Sequence, residues 1–308
     1  MTSPEIYQQL RPVMFAMAYR MLGSVSEAED IVQEAFLRYH DRPDQQAGVG
    51  SPKAYLSAVT TRLCIDHLRS ARARRETYPG PWLPEPLLTS NEPDPAGHAE
   101  QADSLSMAFL LVLERLSPVE RAVFLLHDVF SYDYGEIAGI VGKSRENCRQ
   151  LALRARRHVT EHKPRFEASR RKQAELAARF FSAAAEGNME ALVSVLAADA
   201  VVYGDSGGIS PSWPRPIAGR DRVARLLAGV SSQYRELGIT ARPAELNGQP
   251  GAMFVDPAGH LVNVFVLDIA DGQVQAVRSV ISRSKLHHLG ELADLGDLRR
   301  QYRPPDRG

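Results

Sequence analysis

A chain of 308 residues is long enough for two or three domains, each burying its own core. Its 44% apolar and 24% charged residues are ordinary for a globular protein, and 37 basic residues balanced by 37 acidic ones exclude a uniformly basic nucleic-acid coat while leaving local patches open. Cys64 and Cys148 stand far apart, with no C-x-x-C pair and no histidines at zinc spacing, so free thiols in a reducing compartment are expected, with no metal and no cofactor. The first residues lack the basic-then-apolar layout of a signal segment, and no apolar run reaches the roughly 18 residues a membrane span needs. The expectation is a cytoplasmic protein with no membrane partner.

Residues 5–75 read as helices. Val13, Met17, Met21 and Leu22 recur at helical spacing, as do Ile31, Ala35, Phe36 and Tyr39. Ser24 and Ser26, ahead of Glu27 and Glu29, supply cap chemistry for the second helix. Its acidic side carries Glu27, Glu29, Asp30, Gln33 and Glu34, a face that DNA would repel: either a solvated surface or one that docks protein. Pro52 starts a third helix through Tyr55, Val59, Leu63 and Leu68. That helix turns basic at Arg62, Arg69, Arg72, Arg74 and Arg75, with Lys53 upstream. Tyr55 and the pair Thr60 and Thr61 offer stacking and hydrogen bonding beside this charge, a mixture suited to single-stranded nucleic acid, although a solubilising helix end explains it equally well. His67 reads as structural or near DNA rather than as a metal ligand.

Residues 76–103 carry six prolines and little periodicity, which marks a linker. Trp82, Leu83, Leu87 and Leu88 are too apolar for a free one, so it is expected to dock on a neighbouring domain. Helices return over 104–165, where an apolar helix, a short helix YGEIAGIV, a turn at Gly142 and a basic helix follow in the order of a DNA-reading helix-turn-helix. Ser144, with Asn147 three positions on, caps the last helix, while Cys148, Leu151, Ala152 and Ala155 face inward. Arg145, Asn147, Arg149, Gln150 and Arg154 point elsewhere, and Arg156 and Arg157 extend the charge. Arginine suits guanine, Asn and Gln suit adenine, and surplus Arg neutralises phosphate.

Beyond Pro164 two helical stretches, 172–188 and 189–200, precede the short runs AVVYGD, GAMFVDP, HLVNVFVLDI and QVQAVRSVIS, with turns at Pro257-Ala258-Gly259 and Asp271-Gly272. Helices followed by a strand meander imply an α+β domain with helices on one face of a curved antiparallel sheet. Asp205, His260 and Asp268 are its acid–base groups, and Tyr203 and Trp213 could line a cone; turn chemistry accounts for His260 and Asp268, so catalysis is not expected. An apolar pocket for a small-molecule ligand is the preferred alternative. The charged tail from Glu291 is expected to fray.

These segments, in this order, resemble the bacterial sigma factors of the extracytoplasmic-function (ECF, group 4) type. EDIVQEAFLRYH is similar to the region 2 helix that docks on polymerase, SPKAYLSAVTTRLCIDHLRSARARR to the segment that recognises and melts the −10 element, and LSPVERAVFLLHDVFSYDYGEIAGIVGKSRENCRQLALRARR to region 4, which reads −35. The likeness extends further: GPWLPEP and a C-terminal SnoaL-like domain of NTF2 type mark the sigma-J-like subgroup. Where that subgroup has D-G-G-G followed by Lys or Arg, this chain has Asp205-Ser206-Gly207-Gly208, and where it has N-P-D-K-L the chain has Ser282-Arg283-Ser284-Lys285-Leu286. Leu151 stands where a polar or basic residue is common.

The resemblance implies an all-α region 2 (1–75), the proline-rich linker (76–103), an all-α region 4 (104–165), an NTF2-like α+β cone (166–290) and a tail (291–308). Core RNA polymerase, through its β′ clamp helices and β flap, and promoter DNA are the implied partners, with a nucleoid location. Glu27, Asp30, Gln33 and Glu34 are implied to bind polymerase. Lys53, Tyr55, Arg62, Asp66, Arg69, Arg72 and Arg74 are implied at −10, and Ser144, Arg145, Asn147, Arg149, Gln150, Arg154 and Arg156 at −35. Trp82, Leu83, Pro84, Glu85, Pro86, Asp205, Gly207, Gly208, Lys285 and Leu286 are implied in regulation by the fused domain, standing in for a separate anti-sigma protein. Two other readings are a one-component helix-turn-helix regulator that senses a ligand, and a SnoaL-type enzyme fused to a DNA-binding module.

Overall fold

The computed structural model describes residues 3–41, 51–76, 78, 80–89, 104–162, 169–208 and 215–294. Two compact units emerge, one of Met1–Thr77 with Met107–Pro164 and one of Tyr78–Ser106 with Arg165–Gly308. Among the described residues no helix is long and apolar enough to cross a membrane.

The first unit is helical. Helix α1 (Ser3–Leu22) ends at Gly23, whose φ of 68° suits the left-handed turn that lets Ser24 cap α2 (Val25–His40) through the Glu27 amide. Helix α3 (Pro52–Glu76) packs with both, burying Leu56, Cys64, Ile65 and Leu68. Helix α4 (Met107–Glu114) leads to α5 (Pro118–Phe124), which starts at a capping box of Ser117 and Glu120 and continues into a π-helical turn at Leu125–Val129. A second capping box, Asp133 with Glu136, opens α6 (Tyr134–Val141). Gly142, at φ 66°, turns the chain into α7 (Arg145–His162). The expected inward residues Cys148, Leu151, Ala152 and Ala155 are buried, joined by Val159. Both cysteines are buried free thiols.

Two buried polar links join the halves of this unit. Arg121 donates through Nε to Leu113 O (2.9 Å) and through Nη1 to Met21 O (2.5 Å). Ser57 Oγ and Tyr132 Oη lie 2.6 Å apart. Burial pushes the Tyr132 hydroxyl pKa up, so the group stays protonated within this bond.

The second unit is α+β. Helices α8 (Arg170–Glu186) and α9 (Met189–Val195) precede strand β1 (Leu196–Asp205), β2 (Ile217–Ala218), α10 (Arg220–Glu236) and strands β3 (Thr240–Leu246), β4 (Gln249–Val255), β5 (Leu261–Ala270) and β6 (Gln273–Val280). A short helix α11 (Arg283–Leu286) follows. The six strands run in the order β2-β1-β6-β5-β4-β3. Leu176, Phe180, Leu192, Val223 and Leu227 from the helices share one core with Phe254, Phe265, Leu267 and Val277 from the sheet. Phe254 is the hub of an aromatic group, its ring 4.7 Å from Phe265 and 5.2 Å from Tyr234.

Several details differ from the sequence expectation. The sheet is not wholly antiparallel, because β1 runs parallel to β6. Residues 196–200, expected as helix, form the start of β1: Leu196 pairs with Val274, and tertiary pairing overrides the helix propensity of the alanines. Helix α10 was not anticipated, since its charged sequence follows a segment rich in Gly, Pro and Ser; its buried Val223, Ala224 and Leu227 nonetheless form a helical stripe. Strand β3 was also missed, although the turn Asn247-Gly248 that joins it to β4 has φ of 56° and 68°, the type I′ signature. Residues 291–293, expected to fray, are held in place: Leu261 N donates to Glu291 O and Ala293 N to Leu261 O, and the tail beyond 294 lies outside the described residues. Trp213 lies outside the described residues.

Candidate functional site

On α2 the acidic side divides by engagement. Asp30 and Gln33 are exposed. Glu34 pairs with Arg38 at 2.7 Å, Glu29 with Arg11 at 2.6 Å, and Glu27 lies 3.0 Å from His67 Nε2 of α3. His67 is thus a partner of the acidic helix. Leu37, half exposed, sits one turn beyond Gln33 on the same side, an apolar component that charge-based reading overlooked.

The basic face of α3 is only partly available. Lys53 and Arg69 are exposed, Arg69 pairing with Asp66 at 3.2 Å. Tyr55 is partly buried, with its ring 5.8 Å from Tyr39. Thr60 and Thr61, expected as hydrogen-bonding groups for nucleic acid, are buried in the helical core. Arg62 also departs from expectation: its Nε donates to Ile140 O (2.8 Å) and its Nη2 to Gly139 O (2.7 Å). The guanidinium therefore caps the carboxyl end of α6, where helix carbonyls carry partial negative charge. Arg72 and Arg74 belong to α3, but their side chains lie outside the described residues.

Helix α7 presents a largely charged outer face, interrupted by Gln150 and Leu153. Ser144 Oγ accepts from Asn147 N (3.1 Å), which caps the helix as expected. Arg145, Arg149 and Gln150 are exposed, Arg149 over the Tyr134 ring at 5.9 Å. Arg154 and Arg156 are oriented by acids from the preceding helices, Glu120 at 3.0 Å and Asp128 at 2.7 Å. Such exposed pairs are weak in water and give way readily to phosphate.

The second unit grips the linker through Asp205 and Lys285. Asp205, at the end of β1, is fully buried. Its Oδ1 accepts from Tyr78 Oη (2.6 Å) and Gly207 N (3.1 Å), and its Oδ2 from Leu83 N (2.7 Å) and Lys285 Nζ (2.7 Å). Lys285 Nζ donates in turn to Leu83 O (2.6 Å), with the Trp82 and Tyr78 rings 4.4 and 4.7 Å from it. A buried acid is thus answered by a buried base, and the base is flanked by aromatic faces. Burial and the adjoining carboxylate hold the Tyr78 hydroxyl pKa well above its ordinary value, so it remains a donor. Gly207 and Gly208 take φ of 65° and 83°, and a Cβ on Gly207 would meet Ser282 Oγ at 2.7 Å, which explains why glycine stands there. Leu83, Pro84, Glu85, Pro86 and Leu286 are buried alongside.

Three members of this clamp escaped the sequence reading. Tyr78 carries no local signal. His288 Nε2 lies 2.7 Å from Pro86 O. Asn247, whose one local signal is its Asn-Gly turn, accepts from Leu87 N (3.0 Å) and donates to Leu105 O (2.9 Å), while Leu88 bridges Leu246 as a short added strand. Asn247→Gly keeps the turn but removes both bonds, and should cost about 1–2 kcal/mol of stability in urea unfolding. A cost no larger than that of an exposed loop substitution would show that the bridge is idle.

The acid–base groups Asp205, Asp268 and His260 each have partners among the described residues. Asp268, attributed from sequence to a turn, is instead buried in β5, 2.6 Å from Arg278 and 3.0 Å from Gln249 Nε2. Arg278 also faces the Tyr203 ring at 4.9 Å. His260 sits in its turn between Asp256 (3.1 Å) and Glu291 (3.3 Å). The Phe254 ring packs against Tyr234 and Phe265 in the core of this unit. A surface cleft of about 500 Å³ lies at the start of α10, lined by Arg220, Arg222 and Arg225 among others.

The sigma-70 region 2 family matches residues 6–74 and the sigma-70 region 4 family residues 106–159. Over 91% of its length the chain is 37% identical to the ECF RNA polymerase sigma factor SigJ of Mycobacterium tuberculosis, and covers 91% of that protein. It is 33% identical to a probable ECF RNA polymerase sigma factor, SigI, of the same species, covering 93% of this chain and 94% of the relative. The crystal structure of M. tuberculosis SigJ superposes with a TM-score of 0.71 at 32% identity, over 91% of this chain and 97% of that one.

Proposed function

The chain belongs to the ECF RNA polymerase sigma factors, proteins that direct core polymerase to promoters, and we infer from its side chains how it divides that task. Asp30, Gln33 and Glu34, with Glu27 at the edge, form the face for core polymerase. Lys53, Tyr55, Asp66 and Arg69 serve the −10 segment, with Arg72 and Arg74 completing the basic end of α3. Arg62 reaches DNA only after leaving the carbonyls of α6. Arg145, Asn147, Arg149, Gln150, Arg154 and Arg156 of α7 serve the −35 duplex, with Ser144 capping the helix. A flipped −10 base costs a few kcal/mol of unstacking, which the aromatic and basic groups of α3 must offset.

The C-terminal unit acts as a regulator rather than an enzyme. The observation that carries this reading is the Asp205–Lys285 pair closed on Leu83, because the strand it holds is the covalent connection between the two DNA-reading regions. Holding that strand shortens the span available between the regions, and releasing it lengthens the span.

Run-off transcription with core polymerase tests the assignment. The full chain should confer promoter-specific initiation, and Asp30→Arg should reduce it at least tenfold while its circular dichroism and unfolding midpoint stay unchanged, as expected for a charge reversed at an interface rim. Unaltered transcription by this variant would remove α2 from the polymerase contact.

A further inference from the structure

One group of arginines in the second unit stands where folding alone disfavours it. Arg220, Arg222 and Arg225 occupy the first two turns of α10 and line the surface cleft of about 500 Å³. The first amides of a helix carry partial positive charge, so cations there weaken the helix, and Asp221 is the one carboxylate among the lining residues. Those amides have no side-chain cap, because Gly219, at φ 98°, brings no polar side chain to the start of the helix. Arg220 Nε is shielded from solvent yet has no hydrogen-bond partner among the described residues. A shielded N–H with no acceptor in its own fold is rare, and it is poised for one brought by a ligand. Arg225 Nε donates to Asp221 O at 3.2 Å, and none of the three guanidiniums pairs with a carboxylate among the described residues. In this they differ from Arg154 and Arg156 of α7, which Glu120 and Asp128 already hold.

We propose that this cleft binds a phosphate monoester, a small organic molecule carrying a terminal phosphate. Three guanidiniums against one carboxylate leave two positive charges in surplus, which match a phosphate dianion better than a carboxylate. The helix start adds amide donors directed along its axis, an arrangement that favours phosphate. Each arginine offers a planar fork of N–H donors to a pair of phosphate oxygens. A cleft of about 500 Å³ falls within the range of small-molecule sites, and Val193, Ala198 and Ala218 give it apolar lining. That lining suits the organic part of an ester, and the concave shape suits a small molecule rather than a nucleic-acid backbone. The site is distinct from the Asp205–Lys285 clamp: Ala198 lies near the start of β1, and Asp205 at its end.

Isothermal titration calorimetry on the full chain tests this, with phenyl phosphate, inorganic phosphate and benzoate as probes at constant ionic strength. The wild type should bind phenyl phosphate saturably, inorganic phosphate more weakly, and benzoate at least about tenfold more weakly. The double variant Arg222→Gln with Arg225→Gln should lose at least about tenfold in affinity for both phosphates. Both positions are exposed and glutamine is a good helix former, so the fold is kept. Ala218→Leu, at an exposed lining position, narrows the cleft and keeps every arginine; it should weaken phenyl phosphate more than inorganic phosphate. Phenyl phosphate should also raise the urea midpoint of the wild type, and the double variant should lose that shift. Absence of saturable binding by the wild type overturns the proposal, as does phenyl phosphate affinity unchanged in both variants. Benzoate binding as tight as that of phenyl phosphate overturns the phosphate class. Inorganic phosphate that binds as tightly as phenyl phosphate, with Ala218→Leu affecting neither, overturns the ester and leaves a site for the free ion. A random-sequence DNA duplex that prefers the wild type over the double variant, while phenyl phosphate gives no saturable heat, overturns it in favour of a backbone contact. None of these outcomes touches the sigma-factor assignment.

Discussion

Asp205→Ala is expected to destabilise the C-terminal unit by about 3–5 kcal/mol, because it leaves the Lys285 ammonium buried without its counter-charge. The same change removes acceptors for Tyr78 Oη, Leu83 N and Gly207 N, so the 78–89 segment should also come loose from the unit. Urea unfolding followed by circular dichroism gives the first quantity, and limited proteolysis within 78–89 gives the second. The double variant Asp205→Leu with Lys285→Met should recover most of the stability, since replacing both members of a buried pair by apolar groups is often neutral. It should not recover the linker's protection, because leucine cannot accept from the Leu83 amide. A midpoint for Asp205→Ala matching that of Asp221→Ala, an exposed control, would mean the clamp contributes nothing.

Arg121→Met should cost the helical unit about 3–4 kcal/mol, as two charge-assisted hydrogen bonds disappear and two buried carbonyls lose a donor. Met21 O and Leu113 O belong to the last turns of α1 and α4, where helix carbonyls run out of donors, and Leu113 O also accepts from Leu116 N (3.0 Å). One planar guanidinium reaches both, and so ties region 2 to region 4. Lysine offers a point charge instead of a fork, so Arg121→Lys should restore no more than about half of the loss. Unfolding of Arg121→Met at the wild-type urea concentration would refute this account.

Much of the helical unit could be read locally because its signals are local. Ser24, Ser117, Asp133 and Ser144 each cap a helix within three residues of themselves, and Gly142 marks a left-handed turn by its own lack of a side chain. The inward stripe of α7 follows from spacing alone. Arg62 shows where such reading stops: its charge suggested nucleic acid, yet its hydrogen-bond partners lie 77 and 78 residues away. Thr60 and Thr61 fail for the same reason, since their burial depends on neighbouring helices. In the second unit, α10 was hidden by its polarity and β3 by its proline and arginine, and only pairing with β4 defines that strand.

By itself the sequence determined the family, the order of the helical regions, the basic recognition helix and the α+β class of the last domain. All of these are carried by residues within a turn or two of one another, or by motifs kept in register along the chain. The tertiary structure alone decided that Asp205, Lys285 and the strand at Leu83 form one clamp. Leu83 Nα lies 122 residues from Asp205, and Lys285 Nζ bonds across 80 and 202 residues. Local sequence cannot encode which strand ends converge; sheet order and the parallel pairing of β1 with β6 place them together.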